Sequence, residues 1–100
     1  LVVMIPRKGA EVAKITVRDL KDALEVRMAI DSLSVKLACE RLDENDKTEI
    51  KQACVAFREA VKSGNVQAIV EGDERFHNTI YRASKNQKLI TIAMNLREQV

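Results

Sequence analysis

The chain has 100 residues, enough for one small domain, and 46% of them are hydrophobic, which excludes a disordered polypeptide. Only 3% are aromatic, so the core must be built from Leu, Ile, Val and Ala. Apolar runs reach only about five residues, so no segment reads as a membrane span, and no secretory signal is visible. The net charge of +2 is unevenly spread. Residues 1–18 carry Arg7, Lys8, Lys14 and Arg18 against Glu11, whereas residues 19–100 carry 13 basic and 14 acidic side chains. A basic arm therefore precedes a nearly neutral body, a pattern suited to an arm that meets something anionic.

Leu1–Ile5 is an apolar, strand-like run. Pro6-Arg7-Lys8-Gly9 follows, and Ala10–Ile15 alternates loosely. This predicts a short β-hairpin over residues 1–15 with a basic tip. A lone hairpin is marginal in water, so it needs a body or a partner. The chain begins without Met inside an apolar run and stops at Val100 inside a helical pattern. Both features predict a piece of a longer protein.

Residues 16–100 read as an all-α antiparallel bundle of four helices. Thr16-x-x-Asp19 resembles a capping box, and the first helix runs from about Val17 to Arg41. Its apolar arc holds Leu20, Ala23, Leu24, Ile30, Leu37 and Ala38. Arg27 and Ser34 fall inside that arc and Asp31 at its edge. Asp43 is the expected N-cap of a second helix reaching about Lys62, with a stripe of Ile50, Ala53, Cys54, Phe57, Ala60 and Val61. Gly64 suits its C-terminal cap, and Asn65 caps the third helix, Val66–Ala83. Ser84-Lys85-Asn86 is a break. A fourth helix begins near Gln87, with Leu89, Ile92, Ala93, Leu96 and Val100 inward. Cys39 and Cys54 lack zinc-ligand spacing and are expected to be small, buried or half-buried thiols in a reduced, cytoplasmic setting.

Three places carry chemistry. Asp73 and His77 stand at i, i+4 in the middle of the apolar stripe of the third helix. A carboxylate and an imidazole so placed can offer two ligands to one transition-metal ion such as Zn or Ni, or can simply satisfy each other over the core. Arg27 can clamp a small carboxylate in the bundle interior, or it can pair with Asp31 or Asp73. Arg7, Lys8 and Gly9 can touch nucleic-acid phosphates, or form an ordinary solvated turn. No phosphate-binding loop, nucleophile elbow or catalytic triad is present, so the chain is read as no enzyme.

Taken in order, these pieces resemble the GntR family of bacterial transcriptional regulators, in the FadR-like subgroup whose sensor is a helical FCD domain. PRKGAEVAKIT is similar to the wing of a winged helix. VRDLKDALEVRMAID is similar to the linker and first sensor helix, with Glu25-Val26-Arg27. DERFH matches an Asp-x-x-Phe-His segment, and SKNQKLI the start of the following helix. The resemblance implies a wing remnant over 1–15 and part of an effector-binding domain over 16–100. It places Asp73 and His77 on two metal ligands, whose two partner histidines would lie beyond Val100. It places Arg27 on the ligand cavity and Arg7, Lys8 and Gly9 on the wing tip that meets operator DNA. A homodimer sensing a small carboxylate is implied, with no membrane involvement. Asp31 departs from the family's common Glu, and Lys85 and Gln87 depart from Gly and Pro. A helical interaction or dimerisation module without a small-molecule or metal site is the competing reading, and a helical metalloenzyme is a third.

Overall fold

Two short strands precede four helices in the computed structural model, which describes residues 4–6, 12–14 and 16–99, with side chains over 16–97. The strands β1 (Met4–Pro6) and β2 (Val12–Lys14) pair antiparallel, with Met4 opposite Lys14 and Pro6 opposite Val12. Arg7, Lys8 and Gly9, the expected basic tip, lie outside the described residues, as does Val100.

The helices are α1 (Val17–Arg41), α2 (Glu44–Ser63), α3 (Val66–Ala83) and α4 (Gln87–Gln99). Each boundary has a local chemical cause. Thr16 Oγ1 accepts the Asp19 N–H at 3.0 Å and so satisfies one of the free amides that open α1. Asp43 and Asp46 form a reciprocal capping box at the start of α2. Gly64 ends α2 at φ 70°, a left-handed conformation in which a Cβ would be costly. Asn65 caps α3 through the Ala68 N–H, and Asn86 caps α4 through the Leu89 N–H, each at 3.1 Å.

Lys85 explains how a turn lacking the usual glycine is held. Its φ is 57°, the one left-handed non-glycine backbone among the described residues. In compensation its Nζ lies 2.6 Å from Asp46 Oδ2 and 3.5 Å from Asp43 Oδ2. The turn between α3 and α4 is thereby tied to the α2 N-cap. The Lys85 hydrogen bond, more than that from the Asp43 backbone, holds the Asp46 carboxyl below the usual range. A lowered folded pKa means that this support is present above the ordinary carboxylate value of about 3.9 and is lost as pH falls through the folded one.

Short connections make α2 and α3 one antiparallel hairpin and α3 and α4 another, and α3 packs on all three of the other helices. The core is small. Tyr81, Leu89 and Ala93 form its centre, with Ile30, Leu37 and Ile90 packed around them. Elsewhere small residues bring the helices close: Ala38, Ala53, Ala60 and Ala83 are buried, as are Ser34, Thr79 and Ser84. The three hydroxyls bond to backbone carbonyls of their own helices, so none is left unsatisfied.

Several residues assigned inward by periodicity are exposed. Cys39 and Cys54 are both exposed thiols, correcting the expectation of burial. Leu24, Val61, Val66, Val70 and Ile92 are exposed too. The reason is geometric: the four helices cover only one flank of each apolar stripe. On α3 the covered flank is that of Gly72, Phe76, Thr79 and Ala83, and the Val66–Val70 flank is open.

Gly72 marks the closest approach of α2 and α3. A Cβ built there meets the Phe57 Cα and Cδ1, each at 3.3 Å. The backbone contact can relax only if the helices move apart. Gly72→Ala gains up to about 1 kcal/mol of helix propensity but must shift Phe57, so unfolding stability stays within about 1 kcal/mol of wild type. Gly72→Leu overpacks the same spot and is expected to cost about 1–3 kcal/mol in urea unfolding. At the α3–α4 turn, Lys85→Ala keeps the strained backbone and loses the ion pair, whereas Lys85→Gly loses the pair but relieves the strain. Thermal melts are expected to rank Gly above Ala by on the order of 5 °C.

Candidate functional site

The i, i+4 arithmetic that puts Asp73 and His77 together also adds Tyr81, so all three occupy one face of α3. The same spacing places Arg27 with Asp31 on α1, and Leu89, Ala93 and Arg97 on one face of α4. The bundle brings these three rows together.

His77 Nδ1 lies 2.9 Å from the Asp73 carbonyl oxygen and 3.3 Å from its Oδ1. The first contact makes Nδ1 the protonated ring nitrogen, and leaves Nε2 outside the described hydrogen bonds. The His77 ring also stands edge-on to Phe76, with centroids 5.8 Å apart. Asp73 Oδ2 takes a 3.2 Å bond from Arg97 Nη2. Neither member of the pair is deeply buried: the Asp73 side chain is 44% exposed and that of His77 29%. The carboxylate therefore faces solvent on one side, with a histidine and an arginine on the other.

Tyr81 is only 1% exposed, and its hydroxyl donates to Asp31 Oδ1 at 2.5 Å, joining α3 to α1 across 50 residues of sequence. Asp31 Oδ2 in turn faces Arg27 Nε at 3.8 Å. The Arg27 guanidinium is thus paired with Asp31, one of the two partners its position in α1 allowed. Burial chiefly, and then the bond to Asp31, pushes the Tyr81 hydroxyl above its ordinary pKa, while the nearby Arg97 guanidinium pulls the other way. The groups form two short chains that share α3: Arg27, Asp31 and Tyr81 toward α1, and Arg97, Asp73 and His77 toward α4.

Sequence periodicity singled out Arg27, Asp73 and His77. The structure joins them through two residues it passed over, Tyr81 and Arg97. Both were findable, since Tyr81 is four residues after His77 and Arg97 four after the inward Ala93.

A cleft of about 220 Å³ opens beside the pair, lined by Cys54, Phe57, Asp73, Phe76 and His77. Its wall is largely apolar with polar groups at one end, the composition of a small-ligand site. With Nδ1 donating to the Asp73 carbonyl, Nε2 is the ring nitrogen with a lone pair to offer a ligand. Among the described residues no group of three or more His, Cys, Asp or Glu is placed to hold a metal ion.

The FCD domain family matches residues 22–100. The chain belongs to the FCD domain family. Two curated relatives are regulators of transcription. One is the "Probable D-xylose utilization operon transcriptional repressor" of Paenarthrobacter nicotinovorans, 23% identical over 82% of this chain and 36% of that protein. The other is the "Uncharacterized HTH-type transcriptional regulator YdhC" of Bacillus subtilis (strain 168), 24% identical over 83% of this chain and 38% of that protein. The chain therefore spans less than half the length of these relatives. Among solved structures, E. coli McbR/YncC superposes with a TM-score of 0.80 at 20% identity, over 95% of this chain and 48% of that one, and so shares the fold. The family agrees with the resemblance to GntR-type regulators, and the helical sensor body it implies is what the structure contains. No described helix is long and apolar enough to cross a membrane.

Removing the Tyr81 hydroxyl takes away the charge-assisted hydrogen bond to the half-buried Asp31. Tyr81→Phe is expected to lower unfolding stability by about 1–3 kcal/mol at neutral pH. The pH dependence has a definite sign. A raised folded pKa gives stability that is complete below the unfolded tyrosine value of about 10 and is lost as pH rises through the folded one. Urea titrations between pH 8 and 11 should show a loss at the alkaline end that is smaller in Tyr81→Phe.

Proposed function

We propose that this chain is the effector-sensing part of a ligand-responsive, DNA-binding transcriptional regulator. The observation that carries the reading is an apolar cleft with Asp73 and His77 in its wall, in an FCD domain. A cleft of about 220 Å³ suits a ligand of a few heavy atoms. Arg27 and Arg97 bring two guanidinium groups to Asp31 and Asp73. Asp73 and His77 supply two donors toward a divalent transition metal such as Zn or Ni, with further donors from outside these 100 residues. Such an ion would offer a carboxylate effector an inner-sphere partner.

Residues 1–15 are read as the wing of a winged helix and residues 16–100 as the adjoining sensor. In this reading Arg7, Lys8 and Gly9 meet operator phosphates, and the intact protein acts in the cytoplasm as a homodimer on a two-fold operator. The effector biases the placement of the paired DNA-binding heads, and a coupling of about 1–3 kcal/mol is enough for a switch. The regulators among the relatives support this over a bare dimerisation module and over an enzyme.

Metal analysis of the full-length protein tests the sensor. Wild type is expected to hold about one divalent ion per chain, and His77→Ala to lose it together with the effector response. Unchanged metal content and response in His77→Ala would remove Asp73 and His77 from the site. For the arm, Arg7→Ala with Lys8→Ala should weaken operator binding uniformly across sequences and reduce the salt slope by about 2. An unchanged slope would place the DNA contacts elsewhere.

A further inference from the structure

Six of the eleven large hydrophobic side chains exposed among the described residues lie on one helix, α1. The bundle packs α3 and α4 against one side of α1 and leaves its other side open. Four of the six, Val17, Leu24, Met28 and Val35, fall within about 40° of one another around the helix, so they form a stripe and not a scatter of single residues. Val17 is 85% exposed and Met28 69%. Lys21 and Asp31 stand on the same stripe, and with them the row runs through residues 17, 21, 24, 28, 31 and 35. Its steps alternate between four and three residues, the period of about 3.5 with which one helix meets another. Lys21 is exposed, and the Asp31 side chain is 33% exposed. Asp31 accepts from Tyr81 on one oxygen and faces Arg27 with the other, and a carboxylate has further lone pairs for another donor.

We propose that this stripe is the surface on which a second copy of the chain docks, with the two α1 helices antiparallel. The proposal rests on the homodimer of the reading above and names the surface that makes it. The order of residue types selects the occupant and its direction. Read forward, the row is apolar, basic, apolar, apolar, acidic, apolar; read backward, the two charges change places. Antiparallel copies centred level with Val26 therefore set Val17 against Val35, Leu24 against Met28 and Lys21 against Asp31. Two-fold symmetry makes each of these contacts twice. A parallel pair would set Lys21 on Lys21 and Asp31 on Asp31, and like charges facing each other in an interface are costly. The antiparallel arrangement also places the two helix dipoles head to tail. Because Asp31 bonds to Tyr81, the seam is tied to the centre of the core.

Sedimentation equilibrium of the full-length protein reads the dimer directly. Wild type is expected to be a dimer. Met28→Glu, at an exposed position, is expected to raise the dissociation constant about tenfold or more with helix content unchanged by circular dichroism. Lys21→Asp should act in the same direction, because it sets carboxylate against carboxylate, and it carries the test alone if Met28→Glu loses helix content. Direction is read by cross-linking with bismaleimidoethane in a background of Cys39→Ser and Cys54→Ser. Val17→Cys combined with Val35→Cys in one chain is expected to give covalent dimers, and Val17→Cys alone to give none. The proposal is overturned if wild type is monomeric, if Lys21→Asp leaves the dissociation constant unchanged, or if Val17→Cys alone cross-links as well as the pair. An unchanged constant would mean that the copies meet elsewhere and that another part of the protein, or another molecule, covers the stripe. Binding to DNA from the protein's own promoter separates this surface from the broader reading. Wild type that binds this DNA while its dimer ignores the α1 substitutions removes the surface alone, whereas wild type that binds no DNA removes the regulator.

Discussion

The Tyr81–Asp31 hydrogen bond is the contact on which the arrangement of the site depends. Tyr81 is the largest fully buried side chain and packs with Leu89 and Ala93 at the centre of the core. Its hydroxyl must then find a partner, because a buried phenol without one is costly. Asp31 is that partner. The bond fixes the rotation of α1 against α3. Arg27 stands beside Asp31 through their i, i+4 spacing on α1, and Arg97 of α4 reaches Asp73 of α3.

Stability and function draw on the same groups here. A fully apolar junction would hold three helices at least as well, since buried polar networks seldom add net stability. What the polar groups add is directional contacts between helices. Arg97 touches Asp73 on α3 while lying on α4, and the α3 groups reach α1 through Tyr81. On the α2 side, Gly72 lets α3 pack directly against Phe57. A metal held by Asp73 and His77 would compete with Arg97 for the same carboxylate.

Much of the fold was legible in the sequence. Thr16, Asp43, Asn65 and Asn86 announce helix starts through the hydrogen bonds their side chains make to backbone amides. Gly64 announces a helix end through its left-handed backbone. The α3 pair and its link to Arg27 were legible in part, because i, i+4 spacing fixes which residues share a face. Periodicity does not say which flank of a wide stripe a neighbour covers, and this is why Cys54, Val61, Val66 and Val70 are exposed. Nor does it rank a tyrosine or an arginine as a core residue, so Tyr81 and Arg97 were passed over although their spacing matched. Lys85 shows the remaining limit. Its left-handed backbone depends on Asp43 and Asp46, some 40 residues away in sequence, and no local pattern contains that contact.

A double-mutant cycle tests the central claim most directly. Urea unfolding of Tyr81→Phe, Asp31→Asn and the double variant at pH 7 gives the coupling free energy of the bond. The account expects about 1–3 kcal/mol of favourable coupling, with the double variant much closer to either single variant than additivity allows. Additive losses, with coupling near zero, would contradict the bond as the contact that organises the site.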